Sequence, residues 1–277
     1  MSRITIAAAV ATAIAATTAA AAQAPVAKER GVVVSHGGSI YVEGKPVAKG
    51  WQPVWSPDGT RIAFQRFGEI VVSDADGRNE RRLTRRAPGL HWPASFPAWS
   101  PDGKTIAFSG TRDVLTVPAT GGRVRNLTRS QESWRGNFTP AYSPDGKTIA
   151  FSRSTDAFNN DIFLMSADGK NLRRLTRSQG THDVLGEEHG PSWSPDGRTI
   201  VFVSNRTGHF ELYAIGRDGR GERRITNTLR RGYDEDAPRF SRNGKRLLYV
   251  HDGRVATIGV DGKGVRELGL GDAADWR

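Results

Sequence analysis

Hydrophobic and polar positions follow a repeating order along most of the chain. Near its middle, the aromatic segment PSW (191–193) is followed by the sequence SPDG and then by the apolar run 199–204. Because β-branched and aromatic residues favour strands and Pro-Asp-Gly favours a tight turn, this order predicts two antiparallel strands joined by a turn. Two further strands are predicted at 211–215 and 223–226, with a second turn at RDGR (217–220) between them.

The same four-strand pattern occurs five times. Its first segment begins at residues 53, 97, 140, 191 and 238. Four antiparallel strands per repeat, with a period of roughly 40–50 residues, are typical of the blades of a β-propeller. We therefore expect the turn residues and the packing aromatic residue of each repeat to be structural. They are Trp55, Asp58, Gly59, Trp99, Asp102, Gly103, Tyr142, Asp145, Gly146, Trp193, Asp196, Gly197, Phe240 and Gly244, with Trp276 in a partial copy.

The two ends of the repeat region predict one more blade. Residues 32–48 have the pattern of the last three strands of a blade, and ADW (274–276) has that of a first strand. Segments 31–50 and 272–277 would then share a sixth blade and leave no exposed sheet edge. The predicted fold class is all-β, a six-bladed β-propeller of four-stranded antiparallel blades over residues 31–277.

Repeats of the form P-x-W-S-P-D-G-x-x-I-A-F, followed by D-G and L-T, resemble the WD-like repeats of the TolB-type six-bladed propellers. The resemblance covers about residues 31–277. It implies a binding or scaffold role in the cell envelope. TolB itself carries an additional N-terminal domain, and we expect no counterpart of that domain in this chain.

The first 22 residues have the features of a secretory signal peptide. Arg3 precedes an Ala-rich apolar run that ends in AAA (20–22). The sequence thus predicts cleavage after Ala22, a short linker at 23–30, and a periplasmic or secreted protein; a short Ala-rich helix or tail is the alternative. No later segment has the roughly 20 apolar residues of a membrane span. The chain contains no cysteine, so its fold cannot depend on disulfides.

The chain is basic, with 40 Lys and Arg residues against 29 Asp and Glu residues. Much of this charge lies in the recurring runs ERRLTRR (80–86), LRRLTR (172–177) and ERRIT (222–226). Alternation of Leu or Ile with Arg indicates outer strands with one solvated face, rather than a patch that binds polyanions. No nucleic-acid-binding motif accompanies the charge, so we expect no nucleic-acid partner.

The segments that connect successive blades differ from the repeats. Four of them are long, namely 85–96, 129–139, 177–190 and 227–237, whereas 269–273 is short. Loops at the ends of a propeller channel commonly bind partners, and aromatic residues with Arg are enriched at interfaces. The sequence therefore predicts a partner-binding face that contains His91, Trp92, Trp134, Arg135, Asp183, Glu187, Glu188, His189, Tyr233, Asp234, Glu235 and Asp236.

Two alternatives remain for these connecting segments. Their carboxylates and His189 could converge on the channel, where oxygen ligands would suit Ca²⁺ and added histidine would suit Mn²⁺ or Zn²⁺. The segments could also be plain solvated loops.

The sequence predicts a monomeric, non-enzymatic protein with no cofactor, no resident metal and no catalytic residues. It contains no G-x-S-x-G, no H-E-x-x-H and no Gly-rich phosphate-binding loop. The expected partner is an envelope or extracellular protein or peptide, with an acidic glycan as a second candidate. Because some TolB-like propellers are polysaccharide lyases in which channel histidines hold a divalent ion, a metal-dependent, lyase-like enzyme or a glycan-binding propeller is the alternative.

Overall fold

A computed structural model describes residues 30–85, 93–129, 136–155, 159–178, 186–227 and 236–277. Its described residues contain no helix, and their strands form six four-stranded antiparallel sheets. This architecture confirms the predicted six-bladed propeller. The predicted signal peptide at 1–22 and most of the predicted linker lie outside the described residues.

One blade joins the two ends of the chain. Its strands are β1 (Val32–His36), β2 (Ser39–Val42) and β3 (Lys45–Lys49), together with the last strand, β24 (Ala273–Trp276). The order in this sixth blade is β24-β1-β2-β3, with Val33 opposite Asp275. The predicted closure of the ring by a shared blade is thereby confirmed.

The other five blades follow the chain from the inner strand to the outer strand. Blades 1 and 2 contain β4 (Trp51–Trp55), β5 (Arg61–Arg66), β6 (Glu69–Asp74), β7 (Arg81–Arg82), β8 (Ser95–Trp99), β9 (Thr105–Gly110), β10 (Asp113–Pro118) and β11 (Arg125–Asn126). Blades 3 and 4 contain β12 (Asn137–Tyr142), β13 (Thr148–Ser154), β14 (Asn160–Ser166), β15 (Arg173–Arg174), β16 (Glu188–Trp193), β17 (Thr199–Ser204), β18 (Glu211–Gly216) and β19 (Arg223–Arg224). Blade 5 contains β20 (Asp236–Phe240), β21 (Arg246–His251), β22 (Arg254–Gly259) and β23 (Arg266–Leu270).

Connections between strands alternate between the two ends of the ring, because neighbouring strands are antiparallel. The turns after the first and third strands of each blade lie at one end, which we call the turn face. The turns after the second strands lie at the other end, together with the segments between blades. We call this second end the crossover face.

A side-chain hydrogen-bond pattern closes the turn after each inner strand of blades 1 to 4. In blade 1, Ser56 Oγ donates to Asp58 Oδ1 (2.6 Å), which also accepts from Thr60 N (3.0 Å). Gly59 has φ +70°, a conformation that glycine adopts without strain. In blade 5, Asn243 Oδ1 accepts the equivalent bonds from Ser241 Oγ and Lys245 N. The repeated sequence therefore encodes a turn whose side-chain hydrogen bonds are all local.

The core lies between the blades, where the faces of neighbouring sheets pack together. The second strands of blades 1 to 4 each contribute a fully buried phenylalanine: Phe64, Phe108, Phe151 and Phe202. Indole N–H groups also donate to inner-strand carbonyl oxygens of the preceding blade. These bonds run from Trp99 to Val54 (3.3 Å), from Trp193 to Ala141 (3.2 Å) and from Trp276 to Phe240 (2.8 Å).

Candidate functional site

A cavity of about 230 Å³ occupies the central channel near the turn face. All six inner strands contribute to its lining at one equivalent position, where blades 1 to 4 carry small or apolar side chains and blades 5 and 6 carry charged ones. These residues are Val54, Ala98, Ala141, Ser192, Arg239 and Asp275. Several prolines of the repeats complete the wall.

The two charged residues of this cavity form an ion pair between neighbouring blades. Arg239 Nε lies 3.8 Å from Asp275 Oδ1, and Asp275 Oδ2 accepts a hydrogen bond from the backbone N–H of Trp55 (2.8 Å). The side chain of Asp275 is 14% exposed. Burial raises the pKa of the Asp275 carboxyl, whereas Arg239 and the backbone N–H bonds act in the opposite direction. The channel thus combines apolar side chains with a charged pair on one side.

The volume of the channel cavity limits what it can hold. Sites for small molecules usually measure about 300–1,000 Å³, so a cavity of about 230 Å³ is small for such a ligand. One side chain of a partner protein is a better match for its size.

A second tier of contacts joins the inner strands nearer the crossover face. Each inner strand of blades 1 to 4 has a β-bulge just before its proline, and the bulged residue has a positive φ. Gln52 Oε1 accepts from Phe96 N (2.9 Å) in the next blade, and Thr139 Oγ1 accepts from Gly190 N (3.2 Å) in the same way. The bulges therefore turn polar groups towards neighbouring blades and fix the spacing of the inner strands.

Glu188, one of the predicted partner-binding residues, is fully buried at the start of β16. Its carboxylate accepts from Thr176 Oγ1 and is paired with Arg206. Arg206 also pairs with Glu222, at 2.6 Å. Burial raises the pKa of Glu188 to about 7, and the bonds from Thr176 and Arg206 oppose this shift. The contacts of Glu188 are therefore internal: they join the end of blade 3 to blade 4.

Two further predicted residues lie beside Glu188 and are partly exposed at the crossover face. The backbone N–H of Glu187 donates to Asn205 Oδ1 (2.8 Å). The His189 ring packs edge-on against Phe210, with ring centres 5.4 Å apart. Glu187 and His189 are thus the described members of the predicted set whose side chains reach this surface.

The remaining predicted residues are less completely described. Asp236 begins β20, where its backbone pairs with Val250. The others lie outside the described residues: His91, Trp92, Trp134, Arg135, Asp183, Tyr233, Asp234 and Glu235. The partner-binding face therefore stays a prediction.

Ion pairs at the outer edges of the blades neutralise part of the basic charge. In blade 4, Arg224 pairs with the buried Glu211 (2.6 Å), and Thr226 Oγ1 donates to the same carboxylate (2.5 Å). In blade 3, Arg174 pairs with the buried Asp161. The basic runs were predicted to be solvated strands, and the sequence pattern alone did not predict their acidic partners. A signal was present, because blades 1 to 4 carry Asp or Glu at or near the start of the third strand.

The described part of the chain contains no group of three or more His, Asp or Glu side chains placed to bind a metal ion. In the same residues, no helix has the length and apolar character needed to cross a membrane.

Comparisons with known sequences point to one family. The family described as the TolB beta propeller domain matches residues 68–272. An uncharacterized protein of Agrobacterium fabrum is 33% identical over 120 residues, which are 39% of this chain and 38% of that protein. The Tol-Pal system protein TolB of Bordetella pertussis is 41% identical over 61 residues, or 22% of this chain and 13% of that protein. The chain therefore matches well under two thirds of the length of these relatives.

Solved structures show the same fold at low sequence identity. A TolB-type protein from Agrobacterium tumefaciens has a TM-score of 0.69 and 24% identity, covering 91% of this chain and 92% of that one. TolB from Acinetobacter baumannii has a TM-score of 0.69 and 22% identity, covering 89% and 65%. An oligogalacturonate lyase in complex with manganese is more distant, with a TM-score of 0.58, 15% identity and coverage of 82% and 69%.

Proposed function

The chain belongs to the family of TolB β-propeller domains, and from this premise we propose that it is an exported, non-enzymatic protein that binds a protein or peptide partner in the cell envelope. Family membership supports protein binding as the general role. The name of the Bordetella relative, a Tol-Pal system protein, supports an envelope location. The Ala-rich segment at 1–22 supports export.

The observation that carries the proposal is the channel cavity. It is lined by all six blades, it is large enough for one side chain, and Arg239 and Asp275 offer it a charged contact. Partner residues that insert into a well-packed pocket often supply most of the binding energy of a protein interface. We propose that one side chain of the partner enters this cavity as an anchor.

The predicted residues of the crossover face form a second proposed contact surface. Glu187 and His189 represent it among the described residues. Changes at these two positions should leave the fold intact, whereas a change at Glu188 would disturb the buried contacts with Thr176 and Arg206.

The test is the capture of partners from a cell-envelope extract by the tagged protein. Ala98→Phe should fill the channel cavity and abolish capture of a specific protein. Val265→Phe is the matched control, because it adds the same ring at an exposed position (57% exposed) outside the cavity. A double Glu187→Ala and His189→Ala variant tests the crossover face. Capture that survives both the filled channel and the double variant would refute both proposed surfaces.

A metal-dependent polysaccharide enzyme is the second candidate, because an oligogalacturonate lyase with manganese shares the fold. We expect no release of unsaturated products from polygalacturonate when Mn²⁺ is added. Sustained turnover that His189→Ala abolishes would overturn the non-enzymatic proposal.

A further inference from the structure

A second cavity, of about 310 Å³, lies between blades 4 and 5 at the turn face. It is separate from the central channel, because its lining comes from the facing sides of two neighbouring sheets. Its floor is apolar and consists of Val201, Ala214, Ile225, Phe240 and Val260. Its volume lies at the lower end of the range of about 300–1,000 Å³ that is typical of ligand sites.

The neighbouring interface between blades 3 and 4 is filled at the corresponding place. There the Trp193 ring occupies the space between the sheets, and the Arg217 guanidinium lies over that ring, 5.6 Å from its centre. Arg217 also donates to Thr148 Oγ1 of the preceding blade (2.9 Å). An aromatic ring and a long cationic side chain together close this interface.

In blade 5 both filling groups are replaced by smaller ones. Phe240 stands at the position equivalent to Trp193, and Val260 stands at the position equivalent to Arg217. Phe240 cannot make the indole N–H bond that joins Trp193 to the preceding blade. The cavity between blades 4 and 5 is therefore bordered by two side chains that are smaller than their counterparts at the interface of blades 3 and 4.

Two guanidinium groups give the mouth of this cavity a positive charge. Arg223 lines it and donates to the carbonyl oxygen of Val260 (2.9 Å). Arg242 also lines it and is exposed; within the described residues it forms no hydrogen bond or ion pair. The one carboxylate of the lining, on Asp196, already accepts bonds from Ser194 Oγ (2.5 Å) and from the backbone of its own turn.

We propose that the cavity between blades 4 and 5 is a binding site for a planar aromatic group that carries a carboxylate. The apolar floor would bury the ring, and the guanidinium of Arg242 can form a paired, charge-assisted contact with a carboxylate. Such a ligand is a small aromatic acid or the C-terminal aromatic residue of a peptide. This site does not depend on the channel proposed above.

Titration calorimetry with two probes tests the proposal and separates the two sources of ligand. Indole-3-propionate represents a free aromatic acid, and the peptide acetyl-Ala-Ala-Trp, with a free C-terminal carboxylate, represents a polypeptide end. We expect saturable, one-to-one binding of at least one probe to the full-length protein. Tighter binding of the peptide would assign the site to a polypeptide partner, and tighter binding of the free acid would assign it to a small molecule.

Variants then locate the bound probe. A double Phe240→Trp and Val260→Arg variant rebuilds the filled interface of blades 3 and 4, so it should abolish binding without lowering the melting temperature. Tyr142→Trp, an enlargement at the interface of blades 2 and 3, should bind the probe as the wild type does. Arg242→Gln should weaken binding about tenfold, as expected for the loss of a charged hydrogen bond. Lys245→Gln removes a charge from the same turn outside the cavity lining and should change the affinity less than twofold.

Three results would overturn the proposal. The first is that neither probe binds the wild-type protein. The second is that binding persists in the filled Phe240→Trp and Val260→Arg variant. The third is that 3-methylindole, which lacks the carboxylate, binds as tightly as indole-3-propionate.

Discussion

At the scale of single residues, acidic side chains of this propeller have opposite environments. The Asp58 carboxylate is exposed, and its hydrogen bonds, first from Ser56 and then from Thr60, lower its pKa to about 2. Glu188 is fully buried, and desolvation raises its pKa to about 7. The first carboxylate therefore stabilises its turn as an anion, whereas burial makes ionisation of the second less favourable than in water.

The turns after the inner strands carry Asp in blades 1 to 4 and Asn in blade 5, and this difference leads to a prediction. Asn243 accepts in blade 5 the bonds that Asp102 accepts in blade 2. Asp102→Asn should therefore leave the free energy of unfolding at neutral pH nearly unchanged. Asp102→Ala removes both bonds and should lower it by about 1 kcal/mol. Urea denaturation of both variants measures the difference, and equal losses would contradict the hydrogen-bond explanation.

A second prediction concerns the pH dependence of stability. The pKa of Glu188 is raised in the folded protein from 4.5 to about 7, so its contribution to stability is fully present below pH 4.5 and is lost as the pH rises through about 7. We expect the free energy of unfolding of the wild type to fall by about 2 kcal/mol relative to Glu188→Gln between pH 5 and pH 8. Urea denaturation at pH 5, 6, 7 and 8 measures this change. Parallel curves for the two proteins would show that Glu188 does not titrate in this range.

At the scale of elements, glycines in the turns between third and fourth strands let each blade approach the preceding one. A Cβ atom at Gly77 would lie 2.0 Å from the carbonyl oxygen of Val47, and one at Gly262 would lie 2.5 Å from that of Ile225. In blade 4 the equivalent glycine, Gly219, has more room, with the nearest carbonyl oxygen at 3.8 Å. The outer edges of the blades are therefore packed unequally around the ring.

Because Gly219 has more room than Gly77, the same substitution should lower the free energy of unfolding by different amounts at the two positions. Gly77 and Gly219 have nearly the same φ, +84° and +87°, so alanine causes similar backbone strain at both sites, about 1–2 kcal/mol. Only Gly77→Ala adds a collision with the neighbouring backbone, and it should lower the free energy of unfolding by a further 2 kcal/mol or so. Chemical denaturation of the two variants tests this. Equal destabilisation would mean that blades 6 and 1 separate at little cost.

At the scale of the whole molecule, the last strand closes the ring. Within β24, Asp275 accepts from the backbone of Trp55 in blade 1, and Trp276 donates to Phe240 in blade 5. Arg277, the next residue, donates to the carbonyl oxygen of Gly59 (2.7 Å) and lies over the Trp55 ring. A few residues thus hold three blades together.

Deletion of residues 270–277 should therefore destabilise the protein far more than loss of a surface tail. We expect the melting temperature to fall by about 10 °C or more, which corresponds to several kcal/mol for a domain of this size. Removal of Arg277 alone keeps β24 and should lower the melting temperature much less. An unchanged melting temperature after the longer deletion, measured by calorimetry, would contradict closure by the shared blade.

The sequence by itself determined the repeating architecture of this protein. The turn at Ser56 to Arg61 is made by residues within five positions of one another, and strand alternation is equally local. Local signals of this kind can be read without knowing what lies beside them, and their repetition predicts the ring and the blade shared by both termini. For the same reason, the repeats predicted the fold more fully than they predicted any site.

Only the tertiary structure decided which polar and apolar groups meet across blades. Arg239 and Asp275 come from different blades, and their contact depends on closure of the ring. Glu188 looked like a surface residue in a polar segment, yet residues from two blades bury it. The cavity beside Phe240 is lined by residues of two blades that are far apart in the chain. The physical reason is that solvation, charge pairing and packing depend on distances between residues that are far apart in the chain, and no local pattern encodes those distances.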